Sequence, residues 1–169
     1  MSYILETPRL TLREMTWADL DFVASMLADP EVMRYYPKCY SRDEAAAWLG
    51  RMRERYTRDG HALWLVADRK NDQPLGQVGL AEQTVEGVQH TEVGYLIHRP
   101  FWRQGYAAEA AAASRDYAFT TLDKPHVISL IRPENLPSQA VARKLGMRPR
   151  PEIVQHGGFD HLVFWISRS

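Results

Sequence analysis

The run Trp102-Arg103-Gln104-Gly105-Tyr106-Ala107-Ala108 stands at the start of an alanine-rich helical pattern, and its residue types suit an anion. A helix start carries unpaired N–H groups and the positive end of the dipole, so it attracts phosphate. Gly105 removes the side chain that would obstruct a close approach. Ala107 and Ala108 keep the next turn slim, and Arg103 adds a cation. The chemistry these residues would support is the seating of a pyrophosphate on the N–H groups of residues 103 to 108. A plain structural reading stands beside it and comes first on spacing alone: Gly105 turns the chain from strand to helix, and the alanines let that helix lie close on a sheet. Two other phosphate motifs are absent. There is no G-x-x-x-x-G-K-S/T of a P-loop, and no G-x-G-x-x-G after the first strand as in a dinucleotide-binding Rossmann fold.

Other reactive side chains fit no pattern. His90 and His98 are eight apart on a strand-like run, and His156 and His161 flank a turn; neither pair has a cysteine partner or zinc spacing, so no metal is expected. Cys39, the only cysteine, sits in the loop "YYPKCYS" without an evident base and reads as an inert thiol. Arg51, Arg53, Arg55 and Arg58 suggest RNA, but Glu44, Glu54 and Asp59 dilute that charge, and a solvated helix face accounts for them. The 21 Lys and Arg balance 21 Asp and Glu, which speaks against gripping nucleic acid or an anionic membrane. The opening "MSYILETPRL" lacks a basic region followed by an apolar run, so neither signal peptide nor membrane span is expected and the expected location is the cytoplasm.

The elements that must position the helix start follow from periodicity. Over 169 residues nothing marks a linker or repeat, and residues 1–169 read as a single α/β domain. "RLTLRE" alternates as a strand, and Thr16 with Asp19 opens a helix carrying Leu20, Val23, Met26 and Leu27. "SRDE" is a capping box for a helix running to about Arg58. "HALWLVADR", "PLGQVGLAE" and "HTEVGYLIH" read as successive antiparallel strands, with Glu92, Gly94 and Leu96 on one face of the third and Val93, Tyr95 and Ile97 on the other. "HVISLI" is a strand covered on both faces, "SQAVARKLG" a helix, and "EIVQ" and "FDHLVFWI" a hairpin about His156-Gly157-Gly158. The strand at 92–97, the helix at 105–121 and the strand at 126–131 form a central β-α-β crossover.

Four stretches together carry a resemblance. Residues 102–107 resemble motif A of the GNAT N-acetyltransferases, written Q/R-x-x-G-x-G/A. Trp102 departs from that pattern but is similar to the "W-x-x-G-Y-A-x-E-A" wording of the RimJ/RimL-like ribosomal-protein branch. "TPRLTLRE" (7–14), "DPEVMRYYP" (29–37) and "RPENLPSQAVARKLGM" (132–147) resemble the same branch, in the same order. The resemblance implies the GNAT fold, a mixed, mostly antiparallel sheet of about seven strands flanked by helices. It implies acetyl-coenzyme A as cofactor, its pyrophosphate on Arg103, Gln104, Gly105, Tyr106, Ala107 and Ala108. It also implies that the strand before motif A bulges and splays from the next, admitting the pantetheine arm against the backbone near Leu96, Ile97 and His98. Arg103 or Lys144 would reach the extra ribose phosphate, and Tyr106 would pack or wall the cofactor groove.

The implied activity is direct acetyl transfer to a primary amine, either a protein N-terminal α-amine or a small molecule, in a ternary complex; a non-catalytic coenzyme A-binding sensor or interaction module is the alternative. The oxyanion donor would be the N–H of Leu96 or Ile97. Glu92 is the candidate base, against the reading of an exposed strand glutamate. Ser138 is the candidate acid for the departing thiolate, paired with Asn135 in an Asn-x-x-Ser element, while helix capping by either residue is the structural alternative. Met33, Tyr35, Tyr36 and Tyr40, on a helical segment at 29–40, would wall the acceptor site unless they belong to the core, and Glu31 and Asp160 would hold a cationic amine. A monomer or a homodimer is expected.

Overall fold

Apolar alternation and helical stripes assemble eight strands and four helices around one sheet. A computed structural model describes residues 2–169. The strands are β1 (Leu5–Glu6), β2 (Leu10–Arg13), β3 (Leu63–Asp68), β4 (Pro74–Val85), β5 (Val88–Ile97), β6 (His126–Ile131), β7 (Arg148–His156) and β8 (Phe159–Ser167). The helices are α1 (Leu20–Leu27), α2 (Arg42–Asp59), α3 (Tyr106–Thr120) and α4 (Leu136–Lys144). The sheet order is β1-β2-β3-β4-β5-β6-β8-β7. All neighbours are antiparallel except β5 and β6, the parallel pair that α3 connects. The strand beyond the seven read from the sequence is β1, whose two residues are too few to display a period.

Helix α2 starts as its sequence directs: Ser41 Oγ accepts from Glu44 N–H, and the Glu44 carboxylate accepts from Ser41 N–H at 2.9 Å. Its Ala45, Leu49, Met52 and Tyr56 are buried, a stripe at helical spacing. At α1, a single 3₁₀ turn (Trp17–Asp19) precedes the helix. Asp19 accepts from Thr16 N–H at 2.8 Å and takes both Arg13 guanidinium nitrogens at 2.9 Å, tying β2 to the helix start. On α3, Ala110, Ala111, Ser114 and Ala118 are wholly buried, so the small side chains do let the helix lie close on the sheet.

Residues 29–40 hold turns over 30–35 and a bend at 36–37, not the helical segment expected from sequence. Asp29 O accepts from Met33 N–H at 3.0 Å, and Met33 O from Tyr36 N–H at 2.9 Å. Pro37 then disfavours helical backbone at Tyr36, and the winding stops after one turn. Among the described residues no helix is long and apolar enough to cross a membrane.

Candidate active site

The β5–β6 junction opens almost as soon as it forms. Glu92 opposite Ile128 is the single position of register between the two strands. A continued parallel ladder would next join Val93 C=O to Leu130 N–H. Side chains take both groups instead: Ser129 Oγ donates to Val93 O at 2.7 Å, and Glu92 Oε2 accepts from Leu130 N–H at 2.7 Å. Beyond this point the strands diverge. The resemblance implies a bulge on β5, but its register against β4 is continuous from Val88 to Ile97, as is that of β6 against β8, so the two strands part without a break in either one's outer pairing.

Glu92 is therefore no exposed strand glutamate. Its second oxygen accepts from Gln83 Nε2 at 3.1 Å. Withdrawal from water pushes its carboxyl up to about 7; the bonds from Leu130 and Gln83, and the Arg55 guanidinium farther off, oppose that rise without cancelling it.

Alternation decides which β5 amides reach the gap. His98 N–H donates to Leu75 O on β4 at 2.8 Å. Every second residue faces the same way, so Leu96 also turns its amide to β4. The expected backbone contacts at Leu96 and His98, and the Leu96 oxyanion donor, are corrected accordingly: the gap side is lined by the amides of Tyr95 and Ile97. The His98 carbonyl is likewise engaged, by Phe101 N–H at 3.0 Å. Trp102, the departure from motif A, has a structural use, since its indole Nε1 donates to Ile97 O at 2.6 Å and pins the strand end.

Helix α4 enters from the other side of the gap. Asn135 is its N-cap, with Oδ1 accepting from Ser138 N–H at 3.1 Å, so the capping alternative holds for Asn135. Ser138 Oγ is free of that duty. It donates to Tyr95 Oη at 3.1 Å, and Tyr95 Oη donates to Ser138 O at 2.7 Å. Sequence alone marks Tyr95 only as a strand residue; its partnership with Ser138 has no local signal.

At the start of α3, Gly105 is at φ 80° and Arg103 at φ 62°. The N–H groups of Arg103, Gln104, Gly105, Tyr106, Ala107 and Ala108 meet no acceptor among the described residues, which leaves a row of donors suited to an anion. The reason for a glycine differs from the one inferred from sequence. A Cβ there would point at Arg9, 3.3 Å from Nη2, so it would not stand in a ligand's path; the left-handed backbone is what requires Gly105. Arg9, which sequence reading missed, stacks its guanidinium over the Tyr106 ring at 4.5 Å and pairs with Glu109 at 2.7 Å, while Thr7 Oγ1 donates to the same carboxylate. The complementary charges of "TPR" and "GYAAEA" were the available signal. Lys144 is exposed at the far end of α4, where Leu145 O accepts from Arg115. That is ten residues along α3 from Gly105, about 15 Å, whereas Arg103 and Arg9 are local.

A cavity of about 310 Å³ lies between β5, the end of β6, the start of α4 and the 29–40 segment, and does not extend to the start of α3. Glu92, Tyr95, Leu96, Asn135 and Ser138 line it, with Met33, Tyr35 and Tyr36 forming a wall. Met33 is also core, at 4% exposure, so wall and core roles coincide there. Glu31 and Asp160 do not line it; Asp160 borders a neighbouring recess. Trp48, Met52 and Arg55 reach it from one face of α2. The other α2 arginines stay outside: Arg42 pairs with Asp21, Arg53 donates to Met15 O, Arg58 pairs with Asp59, and Arg51 lies over Trp48. Arg132 donates to Tyr35 O at 3.2 Å and stacks over Phe159 at 4.5 Å, linking the 29–40 segment to the last hairpin.

Residues 9–148 match the family model described as an acetyltransferase (GNAT) domain. The chain belongs to the GNAT acetyltransferase family. It is an acyltransferase by that membership. A Bacillus subtilis protein named YnaD, an uncharacterized N-acetyltransferase, is 30% identical over 146 residues, covering 85% of this chain and 82% of its own. The crystal structure of an acetyltransferase from Agrobacterium tumefaciens superposes with a TM-score of 0.85 at 29% identity, over 97% of this chain and 94% of that one. RimL, a ribosomal-protein α-N-acetyltransferase solved in complex with coenzyme A, shares the fold at a TM-score of 0.71 and 16% identity, over 99% and 97% of the two chains. GNAT enzymes use acetyl-coenzyme A as co-substrate, and the open row of amides before α3, the cations beside it and the β5–β6 gap fit such a molecule.

Proposed function

We propose that this protein transfers the acetyl group of acetyl-coenzyme A directly to a primary amine, with both substrates bound at once and Glu92 receiving the amine's proton. Acetyl-coenzyme A, when bound, supplies an acetyl thioester and a thiol leaving group. The amides of residues 103 to 108 would hold its pyrophosphate, and the Tyr95 and Ile97 amides would meet the arm in the gap. The observation that carries the reading is Glu92: a carboxyl held at the mouth of the strand gap, fixed by two hydrogen bonds and raised to about 7. An α-amine has a pKa of about 8, so proton transfer to such a carboxylate is uphill by about one unit, against nearly four for an ordinary glutamate. A coenzyme-binding module without catalysis would need no such group.

On the leaving-group side, Ser138 and Tyr95 form a hydroxyl pair in which the serine proton passes toward the phenol and the phenol proton toward a carbonyl. In this reading the Ser138 hydroxyl turns from Tyr95 to the departing thiolate and gives it its proton, and Tyr95 Oη turns from the Ser138 carbonyl to donate to the serine oxygen in its place. Ser138→Ala is expected to lower kcat by about 10- to 100-fold with acetyl-coenzyme A affinity retained, and Tyr95→Phe to lower it similarly. A wild-type rate in Ser138→Ala would leave the serine as a partner of Tyr95 alone. The overall reading is tested by mass spectrometry of reactions containing acetyl-coenzyme A and a panel of peptides, polyamines, aminoglycosides and amino acids. A mass gain on an amine, matched by thiol release, is the expected result; binding of acetyl-coenzyme A with no acetylated product anywhere would favour the sensor.

A further inference from the structure

The charges lining the cavity say what else the acceptor carries. Among the described residues Glu92 is the only acidic side chain on its wall. Arg55 faces it from α2, half-buried, and makes no hydrogen bond or ion pair among the described residues. Its field reaches Glu92, yet no ion pair joins the two. A guanidinium presents five donors and no acceptor, and one that lines a cavity without a protein partner leaves those donors open to an anion. The remaining basic residues of the wall, Arg132, His156 and His161, are already engaged with Glu134, with one another or with backbone carbonyls. A polycation would meet one carboxylate and several positive or neutral groups here, while Glu31 and Asp160, which would have received its further amines, lie outside the cavity.

We infer that the acceptor is a small amino-carboxylate, a molecule whose amine meets Glu92 while its own carboxylate meets Arg55 across the same cavity. The inference rests on the N-acetyltransferase reading above. The cavity volume supports it: about 310 Å³ lies at the lower end for small-ligand sites, and the acetyl end of the co-substrate would take part of it. So does the Arg132 link between Tyr35 and Phe159, which ties together the two walls that a polypeptide would have to part. Trp48 and Met52, on the same face of α2 as Arg55, offer apolar surface for a side chain.

The test measures thiol release from acetyl-coenzyme A with the common amino acids and short ω-amino acids, their methyl esters, C-terminally amidated tripeptides, spermidine and kanamycin. At least one free amino acid is expected to exceed its ester in kcat/KM by about 100-fold, because the ester leaves Arg55 unpaired. In Arg55→Gln that preference collapses to within a few-fold, through KM of the acid, while Arg55→Lys recovers part of it. Equal rates for acid and ester, or a preference for spermidine, kanamycin or an amidated peptide, would overturn the inference and leave N-acetyl transfer standing. If acetyl-coenzyme A binds by calorimetry but no member of the panel is acetylated, both readings fall. The acid-to-ester comparison on unmodified protein keeps the test decisive even if the Arg55 variants fold poorly.

Discussion

Glu92→Gln is expected to lower acetyl transfer at pH 8 by about 10²–10³-fold and, in the same protein, to raise the melting temperature. The two effects share one cause. The Glu92 carboxyl titrates at about 7 in the folded chain against 4.5 as its ordinary value. A folded pKa above the unfolded one means that the native state prefers the proton. The stability Glu92 contributes is full below pH 4.5 and is lost as pH rises through 7; above that, ionisation works against folding by about 3 kcal/mol. Glutamine is neutral throughout and still offers an oxygen to Leu130 N–H. The variant should therefore melt about 5–10 °C higher at pH 8 and level with wild type near pH 4.5. Activity runs in the opposite sense. The wild-type rate should rise through pH 7 as the base ionises, and the variant should lack that limb. Glu92→Ala separates the carboxylate's two duties, since it also strands the Leu130 amide and should lose much of the stability gain. A ratio of rates that is flat across pH would retire Glu92 as the base, and a melting difference independent of pH would show that its ionisation is not opposed by the fold.

The parts of this molecule that were legible in the sequence are those whose signal is local. Ser41 and Glu44 sit three apart and form their reciprocal cap; the alanines of α3 fall at helical spacing and are buried; "HVISLI" is a covered strand in parallel register beside β5. What was not legible depends on groups far apart in the chain. Arg55 lies among four arginines that look like one solvated face, and only its phase with Trp48 and Met52 turns it into the cavity. The strand gap is held by Ser129 and Glu92, each filling a backbone position on the other strand, and no spacing within one strand encodes that exchange. Alternation along β5 governs its amides as well as its side chains, and it turns those of Leu96 and His98 to β4 and those of Tyr95 and Ile97 to the gap, a sorting that no residue type announces. The 29–40 segment misled because one Asp-Pro-initiated turn has helical spacing without a second turn to follow.

Gly105→Glu is expected to weaken acetyl-coenzyme A binding by about 100-fold or more in calorimetry, with the far-ultraviolet dichroism of the folded chain unchanged. The backbone at φ 80° costs an L residue roughly 1–2 kcal/mol, so the loop is driven to release a conformation that orients several amides at once. If the loop holds instead, the new side chain leaves along the Cβ direction, straight toward Arg9 Nη2. Arg9 is already paired with Glu109, and a second carboxylate would take up the charge that its free nitrogen offers to phosphate. Either outcome removes part of the seat, through geometry in one case and charge in the other. Gly105→Ala isolates the first, with an expected loss near 10-fold, and Arg9→Gln isolates the second without touching the loop. If Gly105→Ala and Gly105→Glu were equally mild, charge beside the loop would not matter and Arg9 would be only a strut between β2 and α3. If Gly105→Glu bound acetyl-coenzyme A as wild type does, the amides before α3 would hold no pyrophosphate, and the row of open donors there would need another explanation.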